Sequence, residues 1–343
     1  MREIELHGSA EEMGRQHGEL LGDQVREFHR LTQPRKAAFA DQLKRATADL
    51  AEYLEKLAPF LNRELAALGR AAGFSFEEAL QLSHNEDIPG PDRPWPQSGH
   101  NCTVVIVKGP DGTLLANTMD ISLTYQPFFT LRRVRPDRGY RFVSIERSGV
   151  IGTSRGMNEK GLAIGGASAP YGLTAGPGLG LYVGMRLALQ TCATVAEAVE
   201  LFAGHRPPSK GHCYGLVDRT GAGAVIETNH DRMAVRPLTD RYLVAPNRFH
   251  ASGMIEFNAS RGAKNEENCQ LRERLLTAFL EAPGGRFDLN TAMDSLRLHD
   301  GKADGICRHA YTRFGIVGQP EAVRFFLGDG FPCQTDFKDV GRI

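Results

Sequence analysis

Apolar positions change period near residue 100. Before it they recur at helical spacing: Met13, Leu20, Leu21, Val25 and Phe28 first, then Phe39, Leu43, Leu50, Leu54, Leu57 and Leu61. Stripes of this kind bury one face of an amphipathic helix, so residues 1 to about 88 read as helical. Ser9 with Glu12 forms a capping box, which starts a helix near Ser9, and Gly14 and Gly18 share a face where missing side chains permit close packing. Pro34 suits the start of a second helix, Pro59 divides or kinks the stripe that follows, and Ser75 with Glu78 caps a further one. Pro89, Pro91, Pro94 and Pro96 then exclude regular structure and mark an exposed linker.

Beyond the linker the period drops to two or to short β-branched runs. Thr103 to Val107, the turn Gly109-Pro110-Asp111-Gly112 and Leu114 to Asn117 predict a hairpin. Further strands are predicted at 129–134, 141–145, 162–165, 213–217, 224–228, 233–235 and 242–245, with a final hairpin of 313–317 and 323–327. Helices are predicted at 181–190, at 194–203 with a Thr194/Glu197 capping box, at 266–280 and at 288–298. Strand runs broken by helix pairs, without strict βαβ alternation, indicate the α+β class with stacked sheets and outer helices.

Charge and cysteine usage narrow the function classes. The 343 residues carry 41 Lys+Arg against 41 Asp+Glu, a formal net charge of zero. That balance offers no footprint for nucleic acid or an anionic membrane. Mean hydropathy is −0.32, and the apolar runs fall far short of the ~20 residues a spanning helix needs. The start lacks the apolar run of a secretory signal, so the expectation is a cytoplasmic protein with neither membrane nor nucleic-acid partner. Six scattered cysteines then read as free thiols. The close neighbours Cys307-Arg308-His309 and His212-Cys213 lack zinc-site spacing, so no metal site is expected. Gly176-Pro177-Gly178-Leu179-Gly180 lacks dinucleotide-loop order, and no cofactor is expected. Arg132, Arg133, Arg135 and Arg138 read as a solvated strand edge that could also attract an acidic substrate.

The unusual local feature is Gly99-His100-Asn101-Cys102-Thr103-Val104, a cysteine opening the first strand directly after the linker. By itself it is a small buried hydrophobe. Were the Asn101–Cys102 bond cut, by thiol attack on the Asn101 carbonyl, an N-to-S acyl shift and hydrolysis, Cys102 would carry a thiol and an α-amine together. An α-amine, with a reference pKa of ~7.7–8.0 against ~10.4 for lysine, serves as a base near neutrality. Nucleophile and base would then occupy one residue. A rival nucleophile is Ser154 in Gly152-Thr153-Ser154-Arg155-Gly156, which satisfies G-x-S-x-G, although a turn and a strand follow it where the nucleophile elbow requires a helix.

Five segments carry a family resemblance: Asn101-Cys102-Thr103; Asn117-Thr118-Met119-Asp120; Gly156-Met157-Asn158-Glu159-Lys160-Gly161-Leu162; Ala245-Pro246-Asn247-Arg248-Phe249; and Ile306-Cys307-Arg308-His309. With Leu6-His7-Gly8-Ser9 and Gly14-Arg15-Gln16-His17-Gly18 they span nearly the whole chain. This set resembles the acyl-coenzyme A:6-aminopenicillanic acid acyltransferase family of N-terminal-nucleophile hydrolases, relatives of bile-salt and penicillin V hydrolases. The resemblance implies a four-layer αββα sandwich made as an inactive precursor. It implies self-cleavage between Asn101 and Cys102, giving an α chain of residues 1–101 and a β chain of residues 102–343 that stay together as one structural domain.

Carried over residue by residue, Cys102 matches the nucleophile, Asp120 the aspartate that orients its α-amine, and Asn247 the oxyanion donor. Arg308 matches an arginine near the active site, which either clamps a substrate carboxylate or braces the fold. The chain departs from the pattern in three places. Pro246-Asn247-Arg248-Phe249 replaces the common Thr-Asn-His-Phe, Ser168 falls where bile-salt hydrolases carry an asparagine, and Asn101 replaces the glycine before the cut. The function expected is a self-processing cysteine amidohydrolase or acyltransferase acting on a small amide or acyl-CoA-like thioester, with a homo-oligomer possible. The alternatives are an unprocessed binding or structural protein on the same fold, and a serine hydrolase using Ser154.

Overall fold

The computed structural model describes residues 1–37, 40–84, 87, 101–208, 210–301 and 304–342; the predicted proline linker lies outside them. It opens on a strand, β1 (Arg2–Gly8), in which Ile4 and Leu6 are buried while Glu3, Glu5 and His7 face solvent. This period of two corrects the all-helical reading of the first 88 residues. β1 is only half-apolar, but pairing parallel to β4 satisfies its backbone.

Helix α1 (Ala10–Ala37) starts where the Ser9/Glu12 box places it and continues through Pro34, so no new helix begins there. A proline costs this long helix one backbone hydrogen bond, while packing on α3 is kept. α2 (Ala40–Leu57) follows, and Pro59 opens α3 (Pro59–Ala72) in its first turn, where a missing donor costs nothing. α4 (Phe76–Ser83) carries the predicted box, with the Glu78 N–H donating to Ser75 Oγ at 3.2 Å and the Ser75 N–H to Glu78 Oε2 at 2.9 Å. α1 lies so close to α3 that a Cβ on Gly14 would stand 2.1 Å from the Glu64 carbonyl oxygen.

The hairpin β2 (Val104–Gly109) and β3 (Gly112–Asp120) follows. Next come β4 (Phe129–Pro136), β5 (Phe142–Arg147), β6 (Arg155–Asn158), β7 (Ala163–Ala169), α5 (Leu181–Thr191) and α6 (Val195–Gly204). β8 (Gly211–Val217), β9 (Gly223–Thr228), β10 (Met233–Pro237), β11 (Tyr242–Ala245), α7 (Ala263–Leu280), α8 (Leu289–Ser295), β12 (Thr312–Gln319), β13 (Arg324–Asp329) and β14 (Lys338–Arg342) complete the chain. Every predicted strand after the linker is present; β6 and β14 are additional.

The strands form an eight-stranded sheet, β1-β4-β5-β6-β7-β8-β9-β10, and a six-stranded sheet, β11-β2-β3-β12-β13-β14. β2, β3 and β12 lie over β6, β7 and β8. The sheets approach closely beside the start of β2, where a Cβ on Gly215 would fall 2.4 Å from Val104 Cγ1. α5 and α6 cover the outer face of the larger sheet, and α7 and α8 cover the smaller one over Val105, Val107, Leu114 and Ala116. The result is the expected αββα order of layers. Helices α1 to α4 join the α5 side through a buried, two-pronged ion pair, Arg186 Nη1 and Nη2 each 2.8 Å from a carboxylate oxygen of Glu64. Among the described residues no helix is long and apolar enough to cross a membrane.

Candidate active site

Strand register assembles the site. β2 pairs with β3 so that Val104 faces Asn117, and with β11 so that Ala245 faces Val104. Cys102 lies two residues before β2, Asn247 two residues after β11, and Asp120 ends β3, so the three fall at the same end of the smaller sheet. The head of β2 is held rigidly. The Thr103 N–H donates to Thr118 Oγ1 at 3.1 Å, and Thr103 O accepts from the Thr118 N–H at 3.1 Å and from Asn117 Nδ2 at 2.6 Å. Cys102 stands there 8% exposed, among the core side chains between the sheets.

Asp120 ends β3 opposite Thr312 of β12. Its Oδ1 accepts from Thr312 Oγ1 at 2.8 Å, while Oδ2 is buried with no hydrogen-bond partner among the described residues. Burial raises this carboxyl to about 6, against the opposing pull of Arg308, the Thr312 hydroxyl, Arg272 and Arg155. Arg308 sits in the loop entering β12. Its backbone N–H donates to Thr312 Oγ1 at 2.8 Å, its Nε to Asp304 at 2.6 Å, and its guanidinium lies 4.6 Å from the Tyr311 ring centre.

The residue that ties the site together is one the sequence reading passed over. Arg272 of α7 is fully buried. Its Nη1 donates to the carbonyls of Asn101 at 3.2 Å and Cys102 at 2.7 Å and to Thr103 Oγ1 at 2.8 Å. Its Nη2 donates to Asn247 Oδ1 at 3.1 Å, and its Nε to Asn268 Oδ1 at 3.0 Å. A guanidinium only donates, so Asn247 must turn its oxygen to Arg272 and its NH2 group away, where Nδ2 donates to Ser168 O at 2.7 Å. The sequence signal for Arg272 was available: it interrupts the buried stripe Cys269, Leu276, Leu280 of α7, and an arginine on an apolar face demands partners.

Ser154 is not at an elbow. Its buried hydroxyl donates to Ile145 O at 2.8 Å and strand β6 follows it, which removes the serine-hydrolase reading. Arg248 spans Glu266 at 2.8 Å and Glu273 at 3.1 Å. The solvated-edge reading fails for Arg132, which is buried and donates to the carbonyls of Val150, at 2.6 Å, and Gly152. His299, Cys307, His309 and Cys333, far apart in sequence, converge with their donor atoms within 4.8 Å of one another.

Two packed sheets with helices on both outer faces place the chain in the class of four-layer αββα folds. The chain belongs to the acyl-coenzyme A:6-aminopenicillanic acid acyl-transferase family, whose profile matches residues 107–310. The match takes in Asp120, Asn247, Arg272 and Arg308 and begins just after Cys102. The chain is 28% identical to an uncharacterized protein of Archaeoglobus fulgidus, over 70% of this chain and 45% of that protein; it therefore spans less than half the length of this relative. Among solved structures it is similar to the Caenorhabditis elegans ortholog of N-acylethanolamine-hydrolyzing acid amidase, at 16% identity and a TM-score of 0.48 over 70% of this chain and 100% of that one. It is also similar to penicillin V acylase from Agrobacterium tumefaciens, at 14% identity and a TM-score of 0.44 over 70% and 86%.

Proposed function

We propose that the chain is a self-processing cysteine amidohydrolase or acyltransferase with Cys102 as nucleophile. Arg272 is the observation that carries this reading. One buried cation touches the carbonyl before Cys102, the carbonyl of Cys102 and the amide of Asn247. In self-processing, Cys102 Sγ attacks the Asn101 carbonyl carbon, and Arg272 Nη1 faces the oxygen on which charge develops. Breaking the C–N bond moves the thiol proton to the departing α-amine and leaves a thioester. Water then releases the Asn101 carboxylate and a free Cys102 thiol.

The new α-ammonium supplies the donor that Asp120 Oδ2 lacks in the uncut chain. In turnover the α-amine of Cys102 takes the thiol proton and the thiolate attacks an amide or thioester carbonyl. The Asn247 NH2 and backbone N–H groups hold the oxyanion. The α-ammonium returns the proton to the leaving group, and water or an amine resolves the acyl-enzyme. The substrate class is a small linear acyl amide or an acyl-CoA-like thioester, with hydrolysis the default outcome because water is always present.

Intact mass spectrometry of the purified wild type beside Cys102→Ala tests the proposal. The expected result is two fragments, 1–101 and 102–343, in the wild type and one chain in the variant. One uncut chain in both would overturn self-processing and favour a binding role for the fold.

A further inference from the structure

We propose that His299, Cys307, His309 and Cys333 form a structural zinc site at the entry to β12, separate from the reacting thiol. The four come from three stretches of chain: His299 follows α8, Cys307 and His309 precede β12, and Cys333 lies between β13 and β14. Their donor atoms lie within 4.8 Å of one another. Cys307 Sγ is 3.6 Å from Cys333 Sγ, and His309 Nε2 is 3.1 Å from Cys333 Sγ. Zinc bonds of ~2.3 Å to sulfur and ~2.0–2.1 Å to nitrogen, arranged tetrahedrally, separate two sulfurs by roughly 3.8 Å and a sulfur from a nitrogen by roughly 3.5 Å. The cluster needs only small adjustments to meet those spacings.

Its surroundings fit ligands held ready. The His299 and His309 rings stand edge to face with centres 5.0 Å apart, and His309 stacks on Phe331 at 4.7 Å. His299 Nδ1 is buried and makes no hydrogen bond among the described residues. Gly305, at φ 116, turns the chain back so that the N–H groups of Ile306 and Cys307 both donate to Leu298 O at 3.1 Å. Two thiolates and two imidazoles are a donor set zinc prefers, and four protein ligands leave no open position for substrate, so the role is structural. Binding releases two protons as the thiols become thiolates and forms two Zn–S and two Zn–N bonds; it requires no oxidant.

The site would also brace the catalytic machinery. Arg308 stands between two of the ligands, and its backbone N–H donates to Thr312 Oγ1, which in turn donates to Asp120 Oδ1, both at 2.8 Å. Arg308 O accepts from the Thr312 N–H at 2.7 Å. Fixing positions 307 and 309 therefore fixes the hydroxyl that orients Asp120.

The test uses the full chain, without a polyhistidine tag, grown with added zinc, as wild type, Cys333→Ser and His299→Gln. Elemental analysis is expected to give about one zinc per chain in the wild type and at least a tenfold loss in each variant. Wild-type protein stripped of metal and loaded with cobalt(II) should show the visible bands of a tetrahedral site with thiolate charge transfer, absent from both variants. Circular dichroism confirms that the variants fold. Absence of zinc and of cobalt uptake in the wild type overturns the proposal. So does zinc content unchanged in both variants, or a Cys307–Cys333 disulfide found by peptide mapping. Cys102→Ala should bind zinc as the wild type does, so the result stands apart from the fate of the self-processing proposal.

Discussion

Asp120 has one oxygen bound to Thr312 and the other buried without a partner, and this asymmetry has a pH signature. Its carboxyl is raised from 3.8 to about 6, mainly by burial. A raised acid makes the folded state bind more protons than the unfolded one, so the contribution favours folding below about pH 4 and is lost as pH rises through 6. In the Cys102→Ala background, stability relative to Asp120→Asn should fall by about 3 kcal/mol across that window, read from urea unfolding at pH 4 and pH 7. Equal slopes in the two proteins would refute the assignment. Arg272 is tested by the rate of appearance of the two fragments. Arg272→Gln is expected to slow self-processing ~10²–10³-fold, the cost of losing one charge-stabilising donor. Arg272→Lys, which keeps the charge but not the fork that reaches Asn101 and Asn247 together, should restore only part of the rate.

At the scale of elements, the contact of α1 with α3 rests on missing side chains. A Cβ on Gly14 would overlap the Glu64 carbonyl oxygen, and one on Gly18 would come 2.6 Å from Ala71 Cβ. Gly14→Val must push the helices apart, and it shifts Glu64, whose carboxylate pairs with Arg186 of α5. The expected cost is about 1–3 kcal/mol or more from overpacking, measurable as a lower urea midpoint, while Gly22→Ala, facing only the flexible end of Arg26, should change little. The capping boxes at Ser9 and Ser75 and the proline at the head of α3 were legible because each is a local bargain between a side chain and its own backbone. β1 was not. Its period of two is plain in Ile4 and Leu6, but the charged and polar Arg2, Glu3, Glu5 and His7 around them let it pass for a helix lead-in, and only β4 gives it a ladder.

At the scale of the molecule, residues 1–101 and 102–343 share one fold. β1 is an edge strand of the larger sheet, and the Glu64–Arg186 pair crosses between the two parts with both partners buried. Cleavage at Asn101 should therefore leave the fragments bound together, since separating them strands a buried charge, a cost of about 3–5 kcal/mol for that pair alone. Size-exclusion chromatography of cleaved protein should show both in one peak under native conditions and two in denaturant. By itself the sequence determined the α+β class, most of the element order after the linker and the cysteine that precedes the first central strand, because periodicity and caps are properties of the chain, while Asp120, Asn247 and Arg308 were candidates through the family resemblance of their motifs. Only the tertiary structure decided that Arg272 serves Asn101 and Asn247 at once, that Ser154 is buried just before β6, and that His299, Cys307, His309 and Cys333 meet. Those are contacts between residues distant in the chain, and sheet register and helix docking create them where no local spacing records them.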